Sequence, residues 1–214
     1  MTRVAAIADI HLGAPGSPGL RWASDALRNA MGQDADLLVI AGDLVDRKHA
    51  TDAVVEQAVE LLRAAIATDV PVLVVWGNHD IAADLPSRLP DDLTDTPGLA
   101  IAPGSDAATY RYGSLTVHAQ SVATNPDPRE VVDGFPVVGD GSDDAAASAD
   151  GPHLGILHTS LTGEYSRKPC LPTTVAELES RGYDRWLLAH VHRPIAVTDT
   201  IGWVGIGRLE LIDL

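Results

Sequence analysis

Three aliphatic runs, at residues 4–8, 37–41 and 70–75, each give way within a residue or two to Asp9, Gly42-Asp43 and Gly77-Asn78. Runs this short and this apolar read as strands buried on both faces. Between the second and third, residues 51–68 place Val54, Val55, Ala58, Val59, Leu61, Leu62, Ala65 and Ile66 at helical spacing. That spacing makes an amphipathic helix with one side on a sheet. Residues 20–31 read as a shorter helix between the first two strands. Strand–helix–strand–helix–strand in this order requires parallel strands with right-handed crossovers, so the class is α/β.

The second half has another rhythm. Residues 108–112 and 115–119 flank Gly113-Ser114, a two-residue hairpin turn. Residues 154–157 form a buried strand ending at His158. Thr174 to Glu177 carry a capping-box pattern that opens a short helix stopping near Gly182. Residues 186–189 lead as a strand into His190, and 195–198, 201–204 and 209–212 are short closing strands. This half is expected to be the more antiparallel one. The whole is expected to form a four-layer α-β-β-α sandwich: two packed mixed sheets with flanking helices. Residues 139–152, acidic and rich in small residues without periodicity, are expected to form a flexible loop.

Composition narrows the options. A chain of 214 residues suits one domain, 1–214, with no capping domain. No apolar run approaches the roughly 20 residues that cross a bilayer, so no membrane is expected. The lone Cys170 excludes an internal disulfide framework and fits a reducing, cytoplasmic setting, where packing or surface is its expected role. Acidic side chains outnumber basic ones 30 to 15, a net charge of −15, the reverse of the balance that favours nucleic acid. Two bound dications would offset about four of those charges at the place where a phosphate would sit.

The residues beyond the strand ends carry the chemistry. Five of the eight histidines fall among them. In extended backbone Asp9 and His11 would point the same way and could hold one ion together. Asp43 could bridge two ions with its two oxygens. Asp46, three residues on, either supports a ligand by a hydrogen bond or meets solvent. The Asn78 amide oxygen can ligate without adding charge. His79 is free to face a substrate, with Asp80 fixing its tautomer. Taken singly, His158 reads as a satisfied core histidine. His190 and His192 repeat the same-side spacing. Carboxylate, amide and imidazole donors together suit a pair of Mn, Fe, Zn or Co ions. Trp22, Trp76, Trp186 and Trp203 could stack on bases, although Trp76 and Trp186 lie in apolar runs and read as core. Arg47, Lys48 and His49 are placed to meet a phosphate backbone or to form an ordinary loop.

In this order, Asp9-x-His11, Gly42-Asp43, Gly77-Asn78-His79-Asp80, His158 and His190-x-His192 resemble the calcineurin-like metallophosphoesterases. Gly42 to Arg47, the run from Val70 into Asp80, Ile156 to Ser160 and Tyr183 to Pro194 look like the SbcD/YhaO type of DNA-repair exonuclease. The resemblance implies Asp9, His11 and His192 on a first metal, Asn78, His158 and His190 on a second, and Asp43 between them. His79, oriented by Asp80, would be the catalytic pair. It further implies manganese, DNA as substrate and an SMC-like ATPase as partner, and a homodimer is a further expectation. Ala189 stands where that family has glycine, and the chain after His192 is short and a poor match. Beside a DNA exonuclease or endonuclease, two other readings stand: a phosphodiesterase or phosphatase for a nucleotide or other small phosphoester, and a non-catalytic binding or regulatory subunit of the same fold.

Overall fold

The computed structural model describes residues 1–139, 151–166 and 168–214. The acidic stretch expected as a loop at 139–152 falls almost wholly outside them.

The chain begins with β1 (Arg3–Ile7), α1 (Gly19–Met31), β2 (Leu37–Ala41), α2 (Asp52–Ile66) and β3 (Val72–Val75). Three short helices follow, α3 (Asn78–Ala82), α4 (Leu85–Arg88) and α5 (Asp91–Thr94), and then β4 (Leu99–Ile101). The hairpin β5 (Ala108–Tyr112) and β6 (Leu115–Gln120) leads to β7 (His153–His158), α6 (Val175–Glu179) and β8 (Arg185–Ala189). The last strands are β9 (Ile195–Ala196), β10 (Ile201–Trp203) and β11 (Glu210–Asp213).

Two sheets result, ordered β11-β1-β2-β3-β4 and β5-β6-β7-β8-β10-β9. In the first, β1 to β4 run parallel and β11 closes the edge antiparallel to β1. The second corrects the expectation of a more antiparallel half. Its centre, β6-β7-β8-β10, is parallel, and only the β5–β6 and β10–β9 pairs are antiparallel. Long connections follow β6 and β7, giving each next strand room to return in the same direction.

The pleat sorts the apolar side chains into three cores. Val4, Ala6 and Ala8 with Leu37, Val39, Ala41, Leu73 and Val75 face Val117, Ala119, Leu154, Ile156, Leu187 and Ala189 between the sheets. Alternate residues Ala5, Ile7, Leu38, Ile40, Val72 and Val74 pack under Ala23, Leu27, Leu61 and Leu62 of the two long helices. On the far side, Leu157, Trp186 and Leu188 meet Phe135, Leu171 and Leu178. The layers are those of an α-β-β-α sandwich, although the outer cover of the second sheet is thin. Among the described residues it consists of α6, a single 3-10 turn at Val132–Gly134 and loop segments.

The α2 boundary follows its cap: Thr51 accepts the Val54 N–H, so the first turn starts at Asp52. Parallel strands bring their carboxyl ends to one edge. The loops after β1, β2 and β3 and the ends of β7 and β8 therefore share one end of the sandwich, the usual place for a site in such sheets.

Candidate metal centre

Asp9, His11 and Asp43 are not set by strand alternation. Beyond Ile7 the backbone turns left-handed at Asp9 (φ 51°) and His11 (φ 49°), and beyond Ala41 it does so at Asp43 (φ 51°). The two loops run side by side: Asp9 N–H donates to Gly42 O, His11 N–H to Asp43 O and Leu12 N–H to Leu44 O. This ladder, not extended backbone, brings the three side chains together. His190 also has positive φ, 95°, and its N–H donates to both Asp9 oxygens at 3.2 and 3.3 Å.

Donor atoms converge around Asp43. Its Oδ2 lies 3.5 Å from His11 Nε2 and 3.5 Å from His158 Nε2, while its Oδ1 accepts the His79 N–H at 2.8 Å. One oxygen, rather than two, therefore faces both sets of ligands, because the backbone at His79 occupies the other. Asp9, His11, Asp43 and His192 each offer an atom within 4.8 Å of the others. In the second set, His190 Nδ1 is 3.0 Å from Asn78 Oδ1, and the His158 and His190 rings meet edge to face at 5.2 Å. The histidines two apart thus part company, His192 toward His11 and His190 toward Asn78 and His158.

Two glycines make room. A Cβ on Gly77 would collide with Asp43 and His158, and one on Gly42 would collide with the His158 ring and the Gly77 backbone.

The donor set fits divalent cations. His11 Nε2 and His192 Nε2 face each other at 3.0 Å, and His158 Nε2 is fully buried with no hydrogen-bond partner. Electron-rich donor atoms gathered this closely, most of them on buried residues, favour positive charge. Burial drives His11 down to about 4 and His190 to about 3, so both rings keep their lone pairs free. For His158 burial alone would lower the value, yet Asp43 and Asp9 outweigh it and raise it to about 9. The two buried carboxylates diverge. Burial and the Asp43 charge push Asp9 up to about 7; at Asp43 burial is outweighed by His158 and His11, which hold it below the usual range.

One expectation is corrected. Asp80 does not orient His79. It is fully buried and accepts N–H groups from Val45 and Gly77, each at 3.0 Å, stapling the β2 loop to the β3 loop. The His79 ring instead meets Asp46, whose Oδ2 is 3.1 Å from Nδ1. The Arg47 N–H also points at that nitrogen, at 3.4 Å, so Asp46 and the Arg47 backbone together position the ring. Asp46 is itself held through Oδ1 by His49 Nδ1 at 2.8 Å and Lys48 N–H at 2.9 Å.

Other residues fall as follows. Cys170 is buried beside the second set, its Sγ within 4.8 Å of donor atoms of His158 and His190 and donating to His158 O at 3.3 Å. No sequence signal placed it there. Trp76, Trp186 and Trp203 are buried, the last two with Nε1 bonded to backbone carbonyls, so none is a stacking surface. His118 and His153 pair at 3.0 Å beneath Tyr183 on the outer face of the second sheet. The cavity at the centre, about 430 Å3, is lined by Asp43, Asn78, His79, His190 and His192 together with Tyr165, Ser166, Lys168 and Arg193. Of the last four, only Arg193 falls within a motif, the run from Tyr183 to Pro194. Among the described residues no helix is long and apolar enough to cross a membrane.

Comparison with known proteins adds a family. The sequence profile described as calcineurin-like phosphoesterase matches residues 2–204. The DNA double-strand break repair protein Mre11 of Aeropyrum pernix is 38% identical over 88 residues, 37% of this chain and 21% of that protein. The uncharacterized metallophosphoesterase YhaO of Bacillus subtilis is 24% identical over 177 residues, 77% of this chain and 38% of that one. The match thus spans well under half the length of either relative. Among solved structures, a Thermus thermophilus protein superposes with a TM-score of 0.58 at 11% identity, covering 99% of this chain and 98% of that one. A dimetal phosphatase from Danio rerio gives 0.58 at 13% identity, covering 94% and 86%. At such identities the likeness is one of fold.

Proposed function

The chain belongs to the calcineurin-like phosphoesterase family, and from that premise we propose that it is a two-metal phosphodiester hydrolase acting on DNA in repair. The observation that carries the chemistry is the convergence on Asp43 Oδ2 of two donor sets, beside a cavity that His79 also lines. Similarity to a protein named for DNA double-strand break repair supports the choice of DNA.

Asp9, His11 and His192 would hold one ion, and Asn78, His158 and His190 the other, with Asp43 between. When bound, two divalent ions supply Lewis-acid polarisation of the phosphoester and of water at neutral pH. The remaining work falls to the chain. Asp46 and the Arg47 N–H position the His79 ring through Nδ1, which leaves Nε2 free: an Nε2–H can donate to a phosphoryl oxygen or pass its proton to the leaving oxygen. The Asp80 staple keeps the loops of Asp43 and His79 in register. Manganese is the ion to load first.

A second reading, hydrolysis of a nucleotide or other small phosphoester, is favoured by the net charge of −15. One panel separates the two. Protein loaded with Mn2+ is given linear duplex DNA, single-stranded DNA, bis-p-nitrophenyl phosphate and nucleotides, beside His79→Ala. DNA cleavage that disappears in the variant supports the nuclease. Turnover confined to small esters replaces it with the second reading, and no turnover of any ester refutes both.

A further inference from the structure

Tyr165, Lys168 and Arg193 line the cavity with the metal-site residues, yet none belongs to a donor set. Resting on the phosphodiesterase reading above, we propose that they form a subsite for one unpaired nucleotide, its base on the Tyr165 ring and its non-scissile phosphate between Lys168 and Arg193.

Three observations carry this. First, Tyr165 is 39% exposed, the one aromatic among the large apolar side chains left exposed in the described residues. A chain with 4% aromatics that buries Trp76, Trp186 and Trp203 leaves this ring open at the mouth of its polar site. Second, the ring is propped. The Tyr165 and Trp203 rings meet edge to face with centroids 5.0 Å apart, and Trp203 is anchored by Nε1 to Ala189 O at 3.1 Å and Thr159 O at 3.2 Å. The next residue, Ser166, places Oγ 2.9 Å from His190 Nε2, which fixes the separation between ring and metal ligands. Third, a chain of net charge −15 sets two of its 15 cationic residues on this wall.

A flat apolar face and two cations beside a phosphoester centre match the parts of a nucleotide: a π-surface and a second phosphate. The volume, about 430 Å3, is that of a small-molecule site. A base within a duplex has both faces covered by its neighbours and offers none to Tyr165. The subsite therefore takes a base at a frayed or single-stranded end, or the base of a free dinucleotide.

The test uses the full chain with Tyr165→Ala, Tyr165→Phe and Lys168→Ala/Arg193→Ala. Single-stranded oligonucleotides carry either a normal or an abasic terminal residue, and a free dinucleotide forms a parallel arm. Tyr165→Ala is expected to lower kcat/KM on the normal strand roughly 5- to 100-fold and to leave the abasic strand unchanged, with Tyr165→Phe close to wild type. Binding is read separately, with chelator present, as quenching of a terminal 2-aminopurine; the quench should vanish in Tyr165→Ala and weaken in the double variant. Equal losses on normal and abasic strands, or an unchanged quench, overturn the subsite. Tyr165 dependence on oligonucleotides identifies a strand end as the source, and dependence on the dinucleotide alone identifies a free nucleotide. Should wild type cleave no diester, the phosphodiesterase reading falls, while the quench still decides the subsite.

Discussion

Asp46 Oδ2 stands 3.1 Å from His79 Nδ1, whereas Asp80, the very next residue after His79, turns away from it toward Val45 and Gly77. The carboxylate that meets the His79 ring therefore comes from another loop, and the neighbour in sequence serves the backbone. These two carboxylates should fail in different ways when removed.

Asp46→Ala is expected to lower kcat on a phosphodiester by roughly 10- to 1,000-fold with KM little changed, since it removes the group that positions a proton donor. Metal content, read by emission spectrometry, should stay at the wild-type level. A variant that loses its metal instead would make Asp46 part of the ion cage.

Asp80→Ala leaves the Val45 and Gly77 N–H groups unpaired in a place with no solvent access. Stability in urea should drop by roughly 2–5 kcal/mol. A change under about 1 kcal/mol would show that the staple is dispensable.

Removing the ions should be visible without any substrate. Ions present at about 100 times their dissociation constant stabilise the folded state by about 2.7 kcal/mol per site. Chelator should thus lower the melting temperature and Mn2+ restore it. Asp43→Ala, which takes away the oxygen 3.5 Å from both donor sets, should abolish the Mn2+ response. A full response in that variant would place the ions elsewhere.

Away from the metals, Asp127 offers a pH test. It is buried, and its carboxylate accepts from the Arg129 guanidinium at 2.6 and 2.8 Å and from the Ala123 N–H at 2.9 Å. Burial alone would raise its pKa, but the Arg129 and Ala123 bonds outweigh burial and depress it. A depressed carboxylate stabilises the fold fully above the unfolded value of about 3.9 and loses that contribution as pH falls through the folded value. The stability gap between wild type and Asp127→Asn should stay flat from neutral pH down to about pH 5 and close below about pH 4. A gap that instead opened on acidification would reverse the sign.

Legibility in the sequence followed the range of the forces involved. Val39 or Ile40 can be assigned to a strand because burial on both faces demands a continuous apolar run. Helix α2 could be assigned because its apolar stripe repeats over 15 residues. The helices α3 to α5 span only four or five residues each, too short for periodicity to register, and β4 has three. At the site, donor chemistry named Asp9 and Asp43 from their places at strand ends, and the family resemblance named His158. Which carboxylate meets His79 depended on where two loops cross in space, so adjacency suggested Asp80 in place of Asp46. Tyr165 and Lys168 lie in an irregular segment, where neither period nor motif gives warning.

The left-handed backbone at Asp9, His11, Asp43 and His190 narrows the alphabet at those positions before any ion is considered. Asp and His tolerate that conformation better than most residues, and β-branched side chains hardly at all. Each position is thus selected twice over, once by what the side chain donates and once by how the main chain bends. A lineage that abandoned catalysis would still find few harmless replacements there, and the imprint of the site would outlast its use.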